Sequence, residues 1–378
     1  MYSIGLKRGH NRTIDIQRSN SAGFRSLRCL STYFWRTCSR LRYLMFVFTI
    51  MSLTACVSQK ALIDQTAMEK IYWPGPPEKP RISYLWNITA GSDDAGSRAF
   101  HMIAGSDDMT DPRSSSRLLR PYGLFVDELG LLYITDPGAA RITIVNPKDG
   151  DIRHLVSAGN DELVSPIGIA AFQERIFVSD SFLKKVFILE RGGKLVGTFE
   201  GLFERPTAIA LDKVRKHIYV ADTQADTIYR YTPEGQRLGS IGKSGTGEGE
   251  FHSPTHIWVD QRGDLYVTDT LNFRVQRFSA GGVFQNMFGM LGDAHGDLDK
   301  PKGIATDSDG NVYVVDSIKD TIKIFSPGGD LLLFFGRQGT NYGEFWLPSG
   351  IFMDSQDRLF VADTYNSRIQ VFRYLRNR

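Results

Sequence analysis

The segment "FVADTYNSRIQVFRYLRNR", Phe360 to Arg378, decides how the rest of the chain is read. A near-copy, "YVTDTLNFRVQRF", spans Tyr266 to Phe278. The earlier copy runs on through a glycine turn into a further apolar stretch, "SAGGVFQNMFG" (Ser279 to Gly289), and the later copy does not. A repeated unit is therefore short of one strand. What substitutes for it determines whether the repeats form an open array or a closed ring.

The full unit is clearest around residue 260. A proline leads a hydrophobic run closed by an aspartate, "PTHIWVD" (Pro254 to Asp260), and a short turn leads to "LYVTD" (Leu265 to Asp269). The polar turn "TLNF" follows, then "RVQRF", then a glycine turn and an apolar run ending in glycine. Each piece alternates apolar and polar residues over four to seven positions, which predicts half-buried strands. The aspartate closing the second strand recurs at Asp136, Asp180, Asp222, Asp269, Asp316 and Asp363, at intervals of 44, 42, 47, 47 and 47 residues. Six units of about four strands each predict an all-β, six-bladed β-propeller with four-stranded antiparallel blades. A composition of 12 % aromatic residues and 37 glycines suits a turn-rich all-β chain.

The missing strand has a candidate ahead of the first repeat. "RISYLWNI", Arg81 to Ile88, alternates like the fourth strands "DLLLFFG" (Asp330 to Gly336) and "VFQNMFG" (Val283 to Gly289), and Thr89-Ala90-Gly91 follows it. About residues 81–88 are therefore expected to complete the blade that the last repeat leaves open, so that no sheet edge is free at the seam.

These units resemble NHL repeats over roughly residues 81–378. The likeness is strongest in "VTDTLNFRVQRF", "VVDSIKDTIKIF" and "VADTYNSRIQVF", each preceded by a proline-led first strand. The first two units depart from the pattern: Phe172 stands where other first strands end in aspartate, and "SFLKK" replaces the asparagine- and arginine-bearing turn.

The N-terminal part reads differently. Residues 1–56 hold nine Lys or Arg and one acid, Asp15, and without them 36 basic side chains face 41 acidic ones, a net of about −5. That balance speaks against nucleic acid as a partner, which selects a basic surplus. Arg36, Arg40 and Arg42 precede an eleven-residue apolar run, Tyr43 to Leu53, which fits a signal-peptide core and is well short of the ~20 residues a spanning helix needs. The Leu53-Thr54-Ala55-Cys56 that follows resembles a bacterial lipobox, which implies cleavage before Cys56 and a lipid on its sulfur. Val57 rather than aspartate follows, which points to the outer membrane in a Gram-negative cell. The cysteines, 29, 38 and 56, all precede the repeats, so no disulfide supports them. The expected organisation is an N-terminal extension and signal peptide (1–55), a lipidated cysteine and Pro-rich tether ending in "WPGPPEKP" (56–80), and the propeller (81–378).

Six aspartates on one face of a ring invite a metal or catalytic reading. A strand-end aspartate also accepts hydrogen bonds from the following turn, and its recurrence in every unit favours that structural role. The basic residue five positions on (Arg141, Lys185, Arg274, Arg368; Thr227 and Thr321 replace it in two blades) either pairs with a carboxylate or faces a ligand. The peptidyl-amidoglycolate lyases, which use this repeat, hold zinc with three histidines and can place one directly after the first-strand proline. Here that position holds Tyr122, Ile167, Thr207, Thr255, Lys302 and Ser349, and His256 stands one place late and alone. The lactonase-like propellers use a channel calcium, for which the repeated "AGSDD" (Ala90 to Asp94, Ala104 to Asp108) has oxygen ligands but no calcium-loop spacing. "GKSGTGEGEFHSP" (Gly242 to Pro254) lacks the spacing of a phosphate loop, and its near-copy "GRQGTNYGEFWLP" marks both as turns.

What remains is a surface. The loops before the first strands and after the second strands share one face of the ring, where Phe182, Leu183, Leu271, Asn272, Phe273, Arg274, Ile318, Phe345, Trp346, Tyr365, Asn366 and Arg368 are placed. The expectation is a non-catalytic envelope lipoprotein that binds a protein, peptide or other ligand there, with no metal or cofactor. The alternative is a calcium-dependent lactonase-like or amidoglycolate-lyase-like enzyme.

Overall fold

In the computed structural model the described residues are 62–64, 71–89 and 117–376; the expected signal segment, Cys56 and both Ala-Gly-Ser-Asp-Asp copies lie outside them. Six sheets make up the ring, each antiparallel and joined in chain order, here called blades 1 to 6 with strands a to d from the channel outward. Blade 1 opens at Leu124–Val126, blade 2 at Pro166–Phe172, blade 3 at Pro206–Asp212, blade 4 at Pro254–Val259, blade 5 at Pro301–Thr306 and blade 6 at Ile351–Met353. Their second strands end at the six repeated aspartates, as the spacing predicts.

The strands differ in how far they follow the half-buried pattern. Outer strands such as Leu331–Phe335 and Phe284–Phe288 alternate between more and less covered residues, so one face of each meets solvent. The second strands are buried at every position in blades 1, 4 and 5, as at Leu132–Asp136 and Val312–Asp316, and at every position but the first in blades 2, 3 and 6. A b strand is sandwiched between two neighbouring blades, so both its faces are interior and only hydrogen-bonded polar side chains are tolerated there. Aromatic rings fill the wedges between blades: Phe335, Phe345 and Phe372 meet with centroids 5.2–6.3 Å apart, and Phe251 meets Phe278 at 5.7 Å.

Those contacts account for the two Gly-Glu-Phe loops. Phe251 and Phe345 are fully buried and anchor their loops in the core. The loops are clipped by Glu250, which accepts from the Gly247 N–H at 2.9 Å, and by Glu344, which binds Arg337 at 2.7 Å. Phe345 therefore does not contribute to the loop surface on which the repeat pattern places it.

The seam is closed by the N-terminal strand. Ile82–Thr89 lies antiparallel to Arg368–Tyr374, in register from Ile82 opposite Tyr374 to Thr89 opposite Arg368, with one irregularity at Val371/Phe372. It supplies strand d of blade 6, whose a to c strands come from the C-terminal end of the chain. Ile82 and Ile88 are buried, and Tyr84 packs edge-on against Phe372 at 5.5 Å. The outer edge of this strand is covered in turn: Leu62–Asp64 pairs along its end at Asn87–Thr89, and Tyr72–Trp73 pairs along its start. The Trp73 ring sits 5.2 Å from Phe335 and 5.7 Å from Phe372, bridging blades 5 and 6. It lies so close to Gly343 that a β-carbon there would come within 2.4 Å of the indole.

Deleting residues 81–88 removes the seam strand and exposes the hydrogen-bonding edge of Arg368–Tyr374. The expected outcome, read by calorimetry, is loss of a single cooperative melt or a large fall in Tm; an unshifted, fully cooperative melt would contradict the closure.

Candidate functional site

The six repeated aspartates are all fully buried and each turns inward on its own blade. Asp180 accepts from the backbone N–H groups of Val164, Ser165, Phe182 and Leu183 at 2.8–3.0 Å. Asp136 and Asp222 bind the preceding loop in the same way, through Leu119 and Arg120 and through Glu204 and Arg205. One carboxylate thus pins the loop entering strand a and, in blade 2, the turn leaving strand b.

In blades 4 and 6 the carboxylate also takes a buried cation. Arg274 Nε donates to Asp269 at 2.9 Å and Arg368 Nε to Asp363 at 2.7 Å. The remaining nitrogens of Arg274 bind the carbonyls of Thr246, Gly247 and Glu250; those of Arg368 bind Thr340, Asn341 and Glu344. Asn272 and Asn366 donate to the same aspartates and to Gly245 and Gly339. Blade 5 has Thr321 at the arginine position, and Lys323 two residues on reaches Asp316 at 2.9 Å instead. In blade 2, Lys185 pairs with Asp161 rather than Asp180. Of the two roles open to the basic residue, Arg274 and Arg368 take the inward one, and with Asn272 and Asn366 they are engaged in holding loops.

Other side chains on that face do reach solvent. Phe182 is 71 % exposed, Ile318 51 %, Tyr365 46 %, Trp346 44 % and Leu271 42 %. Trp346 and Tyr365 lie against each other with ring centroids 5.8 Å apart, and the Arg120 guanidinium sits 5.5 Å from the Tyr365 ring. Phe273 and Leu183 are half-buried, and Phe273 takes a left-handed backbone (φ 56°) to close its turn.

The channel holds what the repeats alone did not single out. Two residues after the first-strand proline the chain has Gly123, Gly168, Gly303 and Gly350 in four blades, Ala208 in blade 3 and His256 in blade 4. A β-carbon on Gly123 would lie 2.2 Å from the Ile167 carbonyl oxygen, and one on Gly350 2.2 Å from that of Tyr122, so the central strands approach too closely there for a side chain. Blade 4 breaks this rule. The His256 ring reaches across to Tyr122 on the opposite blade and stacks on it at 5.3 Å, and Lys302 Nζ lies 5.6 Å from the same tyrosine ring. His256 Nδ1 is 3.3 Å from Thr255 Oγ1. The break in the small-residue pattern was the available signal, and it is visible only once the six first strands are aligned.

Burial governs the charge of this trio. Desolvation, aided by the nearby Lys302, lowers the His256 pKa to about 3, so the imidazole is neutral at pH 7. Desolvation raises Tyr122 to about 12 against the opposing pull of Arg205, and lowers Lys302 to about 8 with help from Lys300.

Beyond the His256–Tyr122 pair lies a cavity of about 660 Å³, lined by the first strands of all six blades and rimmed by their a–b turns. Phe125 and Trp258 both contact Phe352, at 5.0 and 5.4 Å, and Trp258 Nε1 donates to Thr306 Oγ1 at 2.9 Å. No group of three or more His, Cys, Asp or Glu arranged to hold a metal occurs among the described residues.

A stability consequence follows from His256. The unfolded imidazole protonates below its usual 6.5 and the folded one only near 3, so the folded state loses stability as pH falls across that interval. Tm of His256→Gly minus Tm of the wild type should therefore rise on going from pH 7 to pH 4; a constant difference would show that the imidazole is not desolvated.

Comparison with known proteins bears on the fold. Residues 345–372 match an NHL repeat, 195–287 a 6-bladed beta-propeller family and 288–315 a beta-propeller repeat. No curated protein sequence matches the chain. Among solved structures, an auxiliary nutrient binding protein from Bacteroides thetaiotaomicron is 16 % identical over 68 % of this chain and 69 % of its own, with a TM-score of 0.54. A protein of unknown function from the same organism is 15 % identical over 69 % and 70 %, with a TM-score of 0.53. The virginiamycin B lyase of Staphylococcus aureus is 15 % identical over 68 % of this chain and 96 % of its own, with a TM-score of 0.51. At such identities the likeness is one of fold. The repeats, their register and the strand that closes them make this chain an NHL-type six-bladed β-propeller.

Proposed function

We propose that this chain is a non-catalytic binding scaffold of the cell envelope, anchored by lipid at Cys56, whose loop face holds a protein or peptide partner. The observation that carries this reading is how the loop face divides its residues. The acids and most polar groups of the repeat are turned inward to fix the loops, while Phe182, Leu271, Ile318, Trp346 and Tyr365 are left in solvent. Rigid loops presenting aromatic and aliphatic side chains meet a partner at low entropic cost, and aromatic residues dominate the energetics of such contacts. Those carboxylates are fully buried and bound to their own loops, which keeps them from meeting a substrate for acid–base work.

The lipobox-like sequence supports the location. A signal core of eleven residues followed by Ala55-Cys56 leads into the Pro-rich stretch, whose last residues are laid against the ring by Tyr72 and Trp73. An anchor so close to the seam would hold the propeller near the membrane.

Photo-cross-linking in intact cells, with a cross-linker placed at Phe182 or Leu271, is expected to capture a partner in the membrane fraction. The yield should fall several-fold with Trp346→Ala combined with Tyr365→Ala, and Cys56→Ser should move the chain to the soluble fraction. Equal capture from a cross-linker on the outer strands, or metal-dependent turnover of lactones or amidoglycolates by the full chain, would overturn the reading.

A further inference from the structure

The channel cavity is separate from the loop face, and nothing in the binding proposal uses it. Its two ends differ. His256 and Tyr122 meet across the axis from opposite blades and narrow the end toward the loop face. The open end is at the a–b turns on the other side of the ring, where Glu128, Lys213, Gln261 and Gln356 lie. Its volume of about 660 Å³ falls in the ~300–1,000 Å³ range of small-molecule sites.

The walls and the floor differ in chemistry. Midway along the channel the wall is Leu211, Ile209, Ile304 and the aromatic group Phe125, Phe352 and Trp258. Phe352, Trp258 and Leu211 are only half-buried although they stand at the centre of the ring, so the surface they leave uncovered faces the cavity. At the floor, Tyr122 and His256 line the cavity, and the side-chain hydrogen bond of this pair among the described residues is the one between His256 Nδ1 and Thr255, which leaves the Tyr122 hydroxyl and His256 Nε2 available to a ligand. At the rim four acids are paired, Asp354 with Arg358 at 2.6 Å, Asp357 with Arg376 at 2.8 Å, Asp212 with Arg215 at 3.2 Å and Asp127 with Arg191, and Asp260 accepts from the Arg262 and Asp264 N–H groups.

We propose that the channel is a binding site for an uncharged, ring-bearing small molecule that enters from the a–b face, lays its apolar body against Phe125, Trp258 and Phe352, and meets Tyr122 and His256 with one polar end. The apolar walls penalise an ion midway along the channel, where it would lose its hydration beside Phe125, Trp258 and Phe352, and Lys302 next to Tyr122 adds a cost for a cation. The aromatic trio favours a planar or alicyclic body over a flexible chain. A hydroxyl available to donate at the floor favours a ligand with a hydrogen-bond acceptor at its leading end. His256 is the residue that makes the channel a pocket. With glycine or alanine there, as in the other five blades, nothing from blade 4 would meet Tyr122 across the axis. Burial keeps Tyr122 and His256 neutral at pH 7 while Lys302 beside Tyr122 stays a cation, which fits an uncharged ligand whose leading end is an acceptor such as a carbonyl oxygen.

A suitable probe is 6-propionyl-2-dimethylaminonaphthalene, an uncharged naphthalene ketone whose emission reports polarity and which accepts excitation from tryptophan. It is titrated into the purified full-length chain, with the same detergent buffer lacking protein as blank. Expected are a saturable blue-shifted signal and energy transfer that is lost in Trp258→Phe while binding persists. Phe352→Ala should weaken binding about tenfold, Tyr122→Phe several-fold, and Leu211→Trp, which puts an indole across the channel, should abolish it. Trp346→Ala on the loop face should leave it unchanged. No saturable signal, or a signal insensitive to Leu211→Trp and Phe352→Ala in variants that melt like the wild type, would overturn the proposal. So would a signal lost in Trp346→Ala.

Discussion

The antiparallel pairing of Ile82–Thr89 with Arg368–Tyr374 is the contact on which the rest of this molecule depends. A propeller has no continuous sheet running through it; its blades are held by side-chain wedges between neighbours, and the ring is only as strong as its seam. Here the two strands at the seam are far apart in sequence. Closing that loop costs conformational entropy, which is offset by a ladder of hydrogen bonds and by the burial of Ile82, Ile88 and Tyr84 against blade 6. The same strand is backed by Leu62–Asp64 and by Tyr72–Trp73, so the N-terminal segment adds a cover over an edge that would otherwise be open to another chain.

Within the ring, a second constraint repeats at every blade. Each b strand delivers a carboxylate into a fully buried site, where it must be hydrogen-bonded to be tolerated. Backbone amides of the incoming loop supply those bonds, and in blades 4, 5 and 6 a buried Arg or Lys adds charge. Removing Arg274 or Arg368 would leave a buried carboxylate without its counter-charge and take the arginine donor from the Thr246 or Thr340 carbonyl, so these are positions where substitution is costly. Functional side chains are thus free to vary on loops whose backbone is already determined. The stack of His256 on Tyr122 is the exception, because it departs from the small-residue rule of the first strands.

Much of this was legible in the residues. The 47-residue interval between the last aspartates and the likeness of "RISYLWNI" to the outer strands were enough to place six blades and the closing strand. Period-two alternation was less informative for the b strands, because a strand covered on both faces needs no polar side. The inward turn of Arg274 and Asn272 depends on carbonyls some 27 residues away on a neighbouring loop, and that of Phe345 on the rings of Phe335 and Phe372, which spacing does not report. The channel cluster was hidden for a related reason: Tyr122, His256 and Lys302 come from three blades and meet only when the ring closes.

Native-state hydrogen exchange of the full chain, read by mass spectrometry at peptide resolution, tests the closed ring most directly. The account predicts that amides of Ile82–Thr89 and of Arg368–Tyr374 are protected to the same extent and open together with the other blades. Exchange of Ile82–Thr89 orders of magnitude faster than Arg368–Tyr374, with the remaining blades still protected, would mean that the seam is a frayed addition to a ring that stands without it.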